Sequence, residues 1–223
     1  MSPTTRSNGI HFGVSLVSMG LLFLMVGCAT PPPPPNLSLL KNDITEYYEN
    51  GRYEKACARV TKEARRTLAA WEGKKKTAIV LDVDDTAIST LPYLKTTDFG
   101  YIPSLWMVWA EQADAPAIPG TLELTKLAEK QEVAIFFITS RQEVWRACTE
   151  QNLRGAGYPN WTSLIMKQAG DRRNTEKYKT SERKKIIDMG YTIVLNLGDQ
   201  ESDLAGGYAE HTFKLPNPCY WLP

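Results

Sequence analysis

Asp82, Asp84 and Asp85 directly follow the apolar run 78–81, whose composition is typical of a strand buried on both faces. Residues two apart on a strand point the same way, so we expect Asp82 and Asp84 to share one side. Asp85 is expected to face the other side as a turn or cap residue. Two like charges on one side repel unless a cation or a shared proton offsets them, and hard cations prefer carboxylate oxygens. The pattern therefore predicts a Mg²⁺-type site; the alternative is an acidic turn in which Thr86 caps the next helix.

Polar residues also follow other apolar runs along the chain. In a doubly wound parallel sheet the carboxyl ends of the strands converge on one crevice, so we expect these residues to meet Asp82 and Asp84. The candidates are Thr139 and Arg141 after the run 133–138, Lys179 on the approach to a helix, and Asp199 and Asp203 after the run 192–197. Arg141 is suited either to binding phosphate or to anchoring a cap. Three other lysines compete with Lys179 for the place of one cation at the site, namely Lys167, Lys184 and Lys185.

Strand-like and helix-like patterns alternate from Gly120 onwards, which predicts an α/β fold. The expected architecture is a doubly wound, mostly parallel sheet with right-handed crossovers. The predicted strands are 78–81, 133–138, 163–166, 192–197 and 212–214. The predicted helices in this part of the chain are 121–130, 142–154, 181–189 and 202–208. Residues 37–71 keep a three-to-four apolar spacing that Asn50-Gly51 interrupts, so two further helices are expected to pack on the domain.

A segment punctuated by Gly and Pro, at about residues 91–119, separates the first predicted strand from the next helix. Within it, residues 105–109 have the pattern of a short amphipathic helix. We expect this insertion to form a small cap over the strand end that carries Asp82, where it would exclude water and contact a leaving group. Trp106 and Trp109 are expected either to line the site or to pack the cap against the sheet.

The first 27 residues have the features of a secretory signal peptide. Phe12–Val26 is apolar but shorter than the about 20 residues of a membrane-spanning helix. Its end, Met25-Val26-Gly27-Cys28, resembles the lipobox of bacterial lipoproteins. The resemblance implies cleavage before Cys28, lipidation of its thiol and export, with the outer membrane as the expected address. An ordinary signal peptide with an incidental cysteine is the alternative. Residues 28–36, with a run of five prolines, would form a stiff tether.

Composition fits one exported globular domain behind that tether, with N-terminal helices at 37–76 and a main domain at 77–223. The formal net charge of +1 gives no electrostatic basis for a nucleic-acid partner, and none is expected. Three cysteines remain besides Cys28, so one disulfide can form in an oxidising compartment, and the sequence leaves its pair open. The three are Cys57, Cys148 and Cys219.

Together, the polar residues at the strand ends form an ordered set of motifs. These are Asp82-Val83-Asp84-Asp85-Thr86, Thr139 after Phe136-Phe137-Ile138, Lys179, and Gly198-Asp199 with Asp203. The set resembles the haloacid dehalogenase superfamily of aspartyl phosphatases over about residues 78–213. The closer resemblance is to its acid phosphatase branch, which includes bacterial lipoprotein acid phosphatases and plant acid phosphatases with their vegetative storage relatives. Residues 89–93, 111–120, 198–200 and 215–218 carry that closer match.

The resemblance implies a role for each motif residue. Asp82 would be the nucleophile that forms an aspartyl-phosphate, and Asp84 the general acid that later acts as the base. Thr139 would bind a phosphoryl oxygen and Lys179 would neutralise charge. The remaining implied roles concern Mg²⁺, with the Asp82 carboxylate, the Asp84 main-chain oxygen and Asp199 as its ligands. Asp203 would support the metal-bound waters or Lys179, and Thr86 would support the site without binding the metal.

The resemblance also implies a substrate class, namely small phosphomonoesters. In the lipoprotein branch an aromatic slot accepts the base of nucleoside monophosphates, and the candidates here are Tyr93, Trp106, Trp109 and Tyr220. The expected function is an exported, Mg²⁺-dependent acid phosphatase that acts on phosphomonoesters, including 5′-nucleotides. Two alternatives stay open: a non-catalytic storage or binding lipoprotein of the same fold, and a phosphotransferase.

Overall fold

The computed structural model describes residues 33–73, 76–158 and 160–222, together with Met1. The described residues from Pro35 onwards form one compact unit. The predicted signal peptide and Cys28 lie outside the described residues. Within the described part of the chain, no helix is both long and apolar enough to cross a membrane.

The compact unit contains five strands and eight helices among the described residues. The strands are β1 Thr77–Leu81, β2 Ala134–Gln142, β3 Ser163–Lys167, β4 Thr192–Gly198 and β5 His211–Lys214. The helices are α1 Leu37–Glu49, α2 Arg52–Ala69, α3 Leu91–Thr96, α4 Pro103–Gln112, α5 Pro119–Lys130, α6 Arg146–Gly155, α7 Thr175–Asp188 and α8 Glu201–Leu204. A single 3-10 turn, Glu143–Trp145, leads into α6.

All five strands are parallel and lie in the order β3-β2-β1-β4-β5, so the predicted doubly wound sheet is confirmed. Side chains alternate between the two faces of the sheet. Ile79 and Leu81 of β1 pack in the larger core with α2, α5 and α6, whereas Ala78 and Val80 pack with α7 on the opposite face. Burial on both faces explains why the strands are nearly continuous apolar runs.

The strand order changes direction at β1, which lies between β2 and β4. A sheet of this kind leaves a crevice at the carboxyl ends of the two strands where the direction changes. The ladder continues one residue past β1, since the Asp82 amide donates to the Leu197 carbonyl (3.0 Å). Asp82 therefore enters the crevice from β1, and Asp199 enters it from the end of β4.

Several predicted boundaries differ from the observed elements. Helix α7 begins at Thr175, because the Asn174 side chain accepts from the Lys177 amide (3.0 Å) and caps it. Lys179 therefore lies within a helix rather than before one. Strand β2 runs on to Gln142, which pairs with β3 after an irregularity, and α8 ends at Leu204 rather than at residue 208. The three described cysteines are free, so the optional disulfide does not form among them.

Two pieces of the chain frame the crevice from outside the sheet. Helices α1 and α2 meet at Gly51, whose positive φ of 72° makes the predicted break. Helices α3 and α4 form the predicted insertion between β1 and α5. Tyr93, Leu94 and Trp106 of this insertion make a small apolar cluster of their own, against which Tyr220 packs. We call α3, α4 and their connection, residues 91–112, the cap.

Candidate active site

Three buried carboxylates meet at the carboxyl end of the sheet. Asp82, Asp199 and Asp203 each offer an oxygen, and these oxygens all lie within 4.8 Å of one another. Lys179 reaches the same place from α7 and donates to Asp82 and to Asp203 (2.5 Å). These four residues, the carboxylate cluster, line a cavity of about 50 Å³ together with Asp84 and Thr139.

The carboxylate cluster concentrates charge where little water reaches it. Burial raises the pKa of Asp82 well above its usual range, although Lys179 opposes the shift. Burial and the neighbouring Asp203 raise the pKa of Asp199 to about 7. Burial alone would lower the pKa of Lys179, but the carboxylates of Asp203 and Asp82 outweigh it and raise that pKa. The lysine therefore stays cationic, and the three carboxylates favour a further positive charge.

A short turn after β4 places Asp203 in the carboxylate cluster. Its Oδ2 accepts from the Gln200 amide (2.9 Å) and caps α8, while its Oδ1 faces Lys179. Gly198 allows this close approach, since a Cβ there would lie 2.4 Å from the Cβ of Asp203. Arg183 is fully buried and donates to the Asp203 carbonyl (2.5 Å), which fixes the main chain from behind. The resemblance implied that Asp203 supports the metal-bound waters or Lys179, and the structure shows its contact with Lys179.

Asp199 is held by three donors, of which Thr86 and Asn217 are distant in the chain and Gln200 is its neighbour. Thr86 donates to its Oδ1 (3.2 Å), and Gln200 (2.6 Å) and Asn217 (2.7 Å) donate to its Oδ2. Asn217 belongs to the C-terminal segment, residues 215–222, which runs from β5 back across the crevice. Asn217 is a residue that the sequence did not single out, because its position depends on the path of that segment. The signal available was its place in the motif at 215–218.

Asp84 lies outside the carboxylate cluster and has its own partner. Arg141 donates to both of its oxygens (2.7 and 2.9 Å) in a two-point ion pair. The Arg141 guanidinium also lies 5.3 Å from the Trp106 ring centre and donates to Thr149 (3.2 Å). Burial alone would lower the pKa of Arg141, but the Asp84 carboxylate outweighs it and raises that pKa. Arg141 was predicted either to bind phosphate or to anchor the cap. Its contact with Trp106 is an anchor to the cap.

Of the remaining predicted polar residues, Thr139 lies at the carboxylate cluster and the three competing lysines do not. Thr139 is buried beside the carboxylate cluster, and its hydroxyl accepts from the Arg141 amide (3.1 Å). The three competing lysines make contacts elsewhere. These are Lys167 with the Arg173 carbonyl, Lys184 with Asp188, and Lys185 with Glu182. Among the four candidates, Lys179 is the one that the structure brings to Asp82.

Asp85 points away from the carboxylate cluster, as the sequence predicted, and it fastens the cap. Its φ of 51° reverses the chain after Asp84. Its carboxylate accepts from the Thr90 amide (2.9 Å) and hydroxyl (2.5 Å) and from the Tyr220 hydroxyl (2.8 Å). Burial raises the pKa of Asp85 to about 6, although these donors oppose the shift. The residue thus joins the start of α3 to the C-terminal segment.

A second cavity, of about 540 Å³, adjoins the first. Asp84, Ser140, Tyr220 and Leu222 line both. We call the larger one the aromatic cavity, because its wall includes Tyr93, Phe99, Tyr101, Trp106, Trp145, Tyr220 and Trp221. The predicted Tyr93, Trp106 and Tyr220 line it, whereas Trp109 packs behind, with its ring centre 5.0 Å from that of Trp106. Sequence reasoning missed Trp145 and Trp221.

The chain that forms this fold and this carboxylate cluster matches a known protein family. Residues 37–223 match the model of the haloacid dehalogenase superfamily, subfamily IIIB, the acid phosphatases. The chain belongs to this family. The resemblance found in the motifs is therefore confirmed, and so is the enzyme class predicted from it, a phosphomonoesterase of the haloacid dehalogenase type.

Individual proteins similar to this chain include plant proteins and a bacterial acid phosphatase of known structure. The stem 28 kDa glycoprotein of Glycine max is 36% identical over 184 residues, which cover 79% of this chain and 72% of that protein. Acid phosphatase 1 of Solanum lycopersicum is 36% identical over 148 residues, or 64% of this chain and 58% of that protein. The solved class C acid phosphatase from Bacillus anthracis superposes with a TM-score of 0.68 at 24% identity, over 83% of this chain and 87% of that one. The last likeness shows the fold.

Phosphatases of this superfamily generally use a divalent metal, and the carboxylate cluster fits one. Its donors are carboxylate oxygens, the ligands that hard divalent cations prefer. Burial and mutual repulsion destabilise the ionised form of Asp82 and Asp199, which a bound cation would offset. Asp82 and Asp199 are the residues placed to hold the cation. The space between Asp82 and Asp203 is already taken by the Lys179 ammonium group.

Proposed function

We propose that this acid phosphatase is an exported, lipid-anchored enzyme that hydrolyses small phosphomonoesters, 5′-nucleotides among them, with Mg²⁺ and through an aspartyl-phosphate. One observation carries the proposal. Asp82 contacts Lys179 inside the small charged cavity, while Asp84, two residues on, lies where that cavity opens into the aromatic cavity. A phosphate in the first cavity and its leaving group in the second would meet at Asp84.

In the first half of the reaction the Asp82 carboxylate attacks phosphorus, and the bond from phosphorus to the ester oxygen breaks. Asp84 gives its proton to that oxygen, so the alcohol leaves toward the aromatic cavity. Lys179 and Thr139 lie beside Asp82 to stabilise the phosphoryl oxygens. Mg²⁺ bound at Asp82 and Asp199 would supply further positive charge against the phosphoryl group.

In the second half Asp84 takes a proton from water, and the water oxygen attacks the phosphorus of the aspartyl-phosphate. The acyl phosphate bond breaks, which returns the Asp82 carboxylate and releases orthophosphate. Asp84 ends protonated and ready for the next ester. Arg141 donates to both oxygens of the Asp84 carboxylate in this structure, which places that carboxylate at the boundary of the two cavities.

The test is phosphate release from p-nitrophenyl phosphate and from 5′-AMP, with Mg²⁺ and with a chelator. We expect turnover of both esters with Mg²⁺ and its loss on chelation. A folded, metal-bound protein that turned over no ester of a broad panel would instead be a storage or binding protein. Phosphorylation of an added nucleoside at the expense of the ester would identify a phosphotransferase.

The lipid anchor needs a separate experiment, since Cys28 lies outside the described residues. Expression of the full chain with a labelled fatty acid should label the mature protein, and a Cys28→Ser variant should lose the label. Mature protein that carries no lipid in both forms would leave an ordinary signal peptide as the explanation.

A further inference from the structure

Three hydroxyl groups in the wall of the aromatic cavity are already hydrogen-bonded within the protein. The Tyr93 hydroxyl accepts from the Ile102 amide (2.7 Å) and donates to the Ile102 carbonyl (3.3 Å). The hydroxyls of Tyr220 and Thr90 both donate to Asp85. These wall residues therefore present ring faces and hydrocarbon to the cavity, while their hydrogen-bonding atoms are used within the protein.

The charged residues at the inner end of the aromatic cavity are also paired. Arg141 uses its guanidinium on Asp84 and Thr149 and covers the Trp106 ring. The Arg141 guanidinium and the Asp84 carboxylate therefore satisfy each other at this end of the cavity, and the ring faces beyond them offer apolar contact.

The mouth of the aromatic cavity is apolar as well. Two of its wall residues reach far into solvent, since Tyr101 is 66% exposed and Trp221 is 71% exposed. Leu222 is exposed beside Trp221, and Val144 is exposed next to Trp145 of the wall. Large apolar side chains that surround a cavity mouth mark a place where an apolar partner binds.

The apolar surface is thus continuous from Asp84, past Tyr93 and Trp106, to the exposed rings of Tyr101 and Trp221. A leaving group longer than a sugar would stay in contact with it over its whole length. A cavity of about 540 Å³ is also far larger than a short alcohol needs.

We propose that the acid phosphatase acts on amphiphilic phosphomonoesters, in which the phosphate is esterified to a long alkyl chain. The phosphate lies at Asp82 and Lys179, the first carbons lie against Trp106, and the rest of the chain crosses the rim formed by Tyr101 and Trp221. The chemistry is that of the proposed function, on which this substrate class rests. The alcohol leaves with the proton from Asp84.

The decisive measurement is kcat/KM for a series of n-alkyl phosphates from ethyl to dodecyl, each below its micelle-forming concentration, with glucose 6-phosphate for comparison. Each methylene transferred from water to an apolar wall favours binding by about fourfold. We expect kcat/KM to rise by about two- to fourfold per methylene along the series, and glucose 6-phosphate to be turned over more slowly than hexyl phosphate. A series without a rise with chain length would overturn the proposal.

Variants at the rim locate the effect. In Tyr101→Ser and Trp221→Ser the ratio of kcat/KM for dodecyl to that for ethyl phosphate should fall at least about tenfold, because the outer methylenes lose their apolar contact. Met189→Ser removes a similarly exposed apolar side chain at the end of α7 and should leave the ratio unchanged. Equal ratios in the rim variants and the wild type would exclude the rim as the binding surface.

Two outcomes separate this proposal from the proposed function. Release of phosphate from p-nitrophenyl phosphate with a flat alkyl series overturns the substrate class alone, whereas no release from any ester overturns the phosphatase itself. The source of the amphiphile is tested with the same alkyl phosphate free in solution and in phosphatidylcholine vesicles. Turnover of the free alkyl phosphate supports binding of its chain in the cavity. Turnover confined to vesicles would overturn binding in the cavity, because the protein would then need the membrane surface to reach its substrate.

Discussion

Asp84 lies at the boundary of two cavities that differ in almost every physical respect. On one side the carboxylate cluster, which includes Lys179, lines a cavity of about 50 Å³ with buried, mutually interacting charges. On the other side the aromatic cavity encloses about 540 Å³ with a wall that includes seven aromatic residues. The charged side is built from the ends of β1 and β4 and from helices α7 and α8, whereas most of the aromatic side comes from the cap and the C-terminal segment.

The difference shows that the two ends of a substrate are handled by different forces. The charged cavity is shaped for a phosphoryl group, and its buried carboxylates disfavour the folded state until a cation joins them. The aromatic cavity gains from burial of apolar surface and is tolerant of shape. Changes on the charged side should therefore alter the chemistry, and changes on the aromatic side should alter which ester is chosen.

The largest effect is expected from Asp82→Asn, which alters the charged cavity alone. The amide cannot act as the nucleophile, so kcat for p-nitrophenyl phosphate should fall by at least about 10³-fold while the fold is retained. Asp85→Asn is the matched control, since it makes the same chemical change at a buried carboxylate that fastens the cap. Its loss should stay below about tenfold. Full activity of the Asp82 variant would end the assignment of the charged cavity to phosphoryl chemistry.

The next effect concerns the cost of burying the carboxylate cluster. Because burial raises the pKa of Asp199 to about 7, the folded, metal-free protein binds more protons than the unfolded chain between about pH 4 and pH 7. Stability should therefore fall as the pH rises through this range. The free energy of unfolding of chelated protein should drop by on the order of 2 kcal/mol from pH 5 to pH 7.5.

Urea denaturation of chelated wild type and Asp199→Asn measures this drop. The drop should be smaller in the variant by the contribution of Asp199, while the raised pKa values of Asp82 and Asp85 still act there. Mg²⁺ should reduce the drop in the wild type, because it favours the ionised carboxylates. A drop of the same size in both proteins would show that other groups cause it.

A smaller effect is expected where the two sides meet in the C-terminal segment. Asn217→Ala removes one of the two donors to Asp199 Oδ2 and should weaken Mg²⁺ binding by about tenfold, because hydrogen-bond partners of a metal ligand orient it. Isothermal titration calorimetry gives the affinity directly. Asn160→Ala, which removes an amide that contacts Glu129 at the surface, serves as the control and should bind Mg²⁺ like the wild type. Equal affinities in all three proteins would contradict the assigned role of Asn217.

The smallest effect is expected on the aromatic side. Tyr220→Phe keeps the ring in the cavity wall and removes only the hydroxyl that donates to Asp85. Asp85 retains both donors from Thr90, so the free energy of unfolding should fall by about 1 kcal/mol and kcat should hardly change. A large loss of kcat would show that the aromatic wall takes part in the chemistry, and the separation of the two sides would no longer hold.

The charged side of the site could be predicted from the sequence more completely than the aromatic side. Asp82, Asp84 and Asp199 follow apolar strands, and a parallel sheet brings such strand ends together whatever the loops do. Their meeting, and that of Lys179 and Thr139, was therefore predictable, although their roles stay predictions. Support of Lys179 by Asp203 was one of the roles that the resemblance implied, and the two residues are in contact. The close approach of Asp203 to Gly198 and the one-turn length of α8 were not predicted, because they depend on the local path of the backbone.

The aromatic side was predicted less completely. Tyr93, Trp106 and Tyr220 were proposed from the resemblance and line the cavity, but the same reasoning included Trp109, which packs behind it. Trp145 and Trp221 had no periodic pattern to mark them. Their positions follow from how irregular segments pack on one another, and local sequence does not encode that packing.

The long reach of the contacts around Asp82 and Asp85 has a consequence for the newly made chain. Lys179 is 97 residues from Asp82, Asp199 is 113 from Thr86, and Tyr220 is 135 from Asp85. Contacts so far apart in sequence form late, because large loops must close first. A chain emerging from a ribosome or a translocation channel has its nucleophile long before Asn217 and Tyr220 arrive. Catalytic competence would then appear in one late step, once Asn217 and Tyr220 have been released and have reached Asp199 and Asp85.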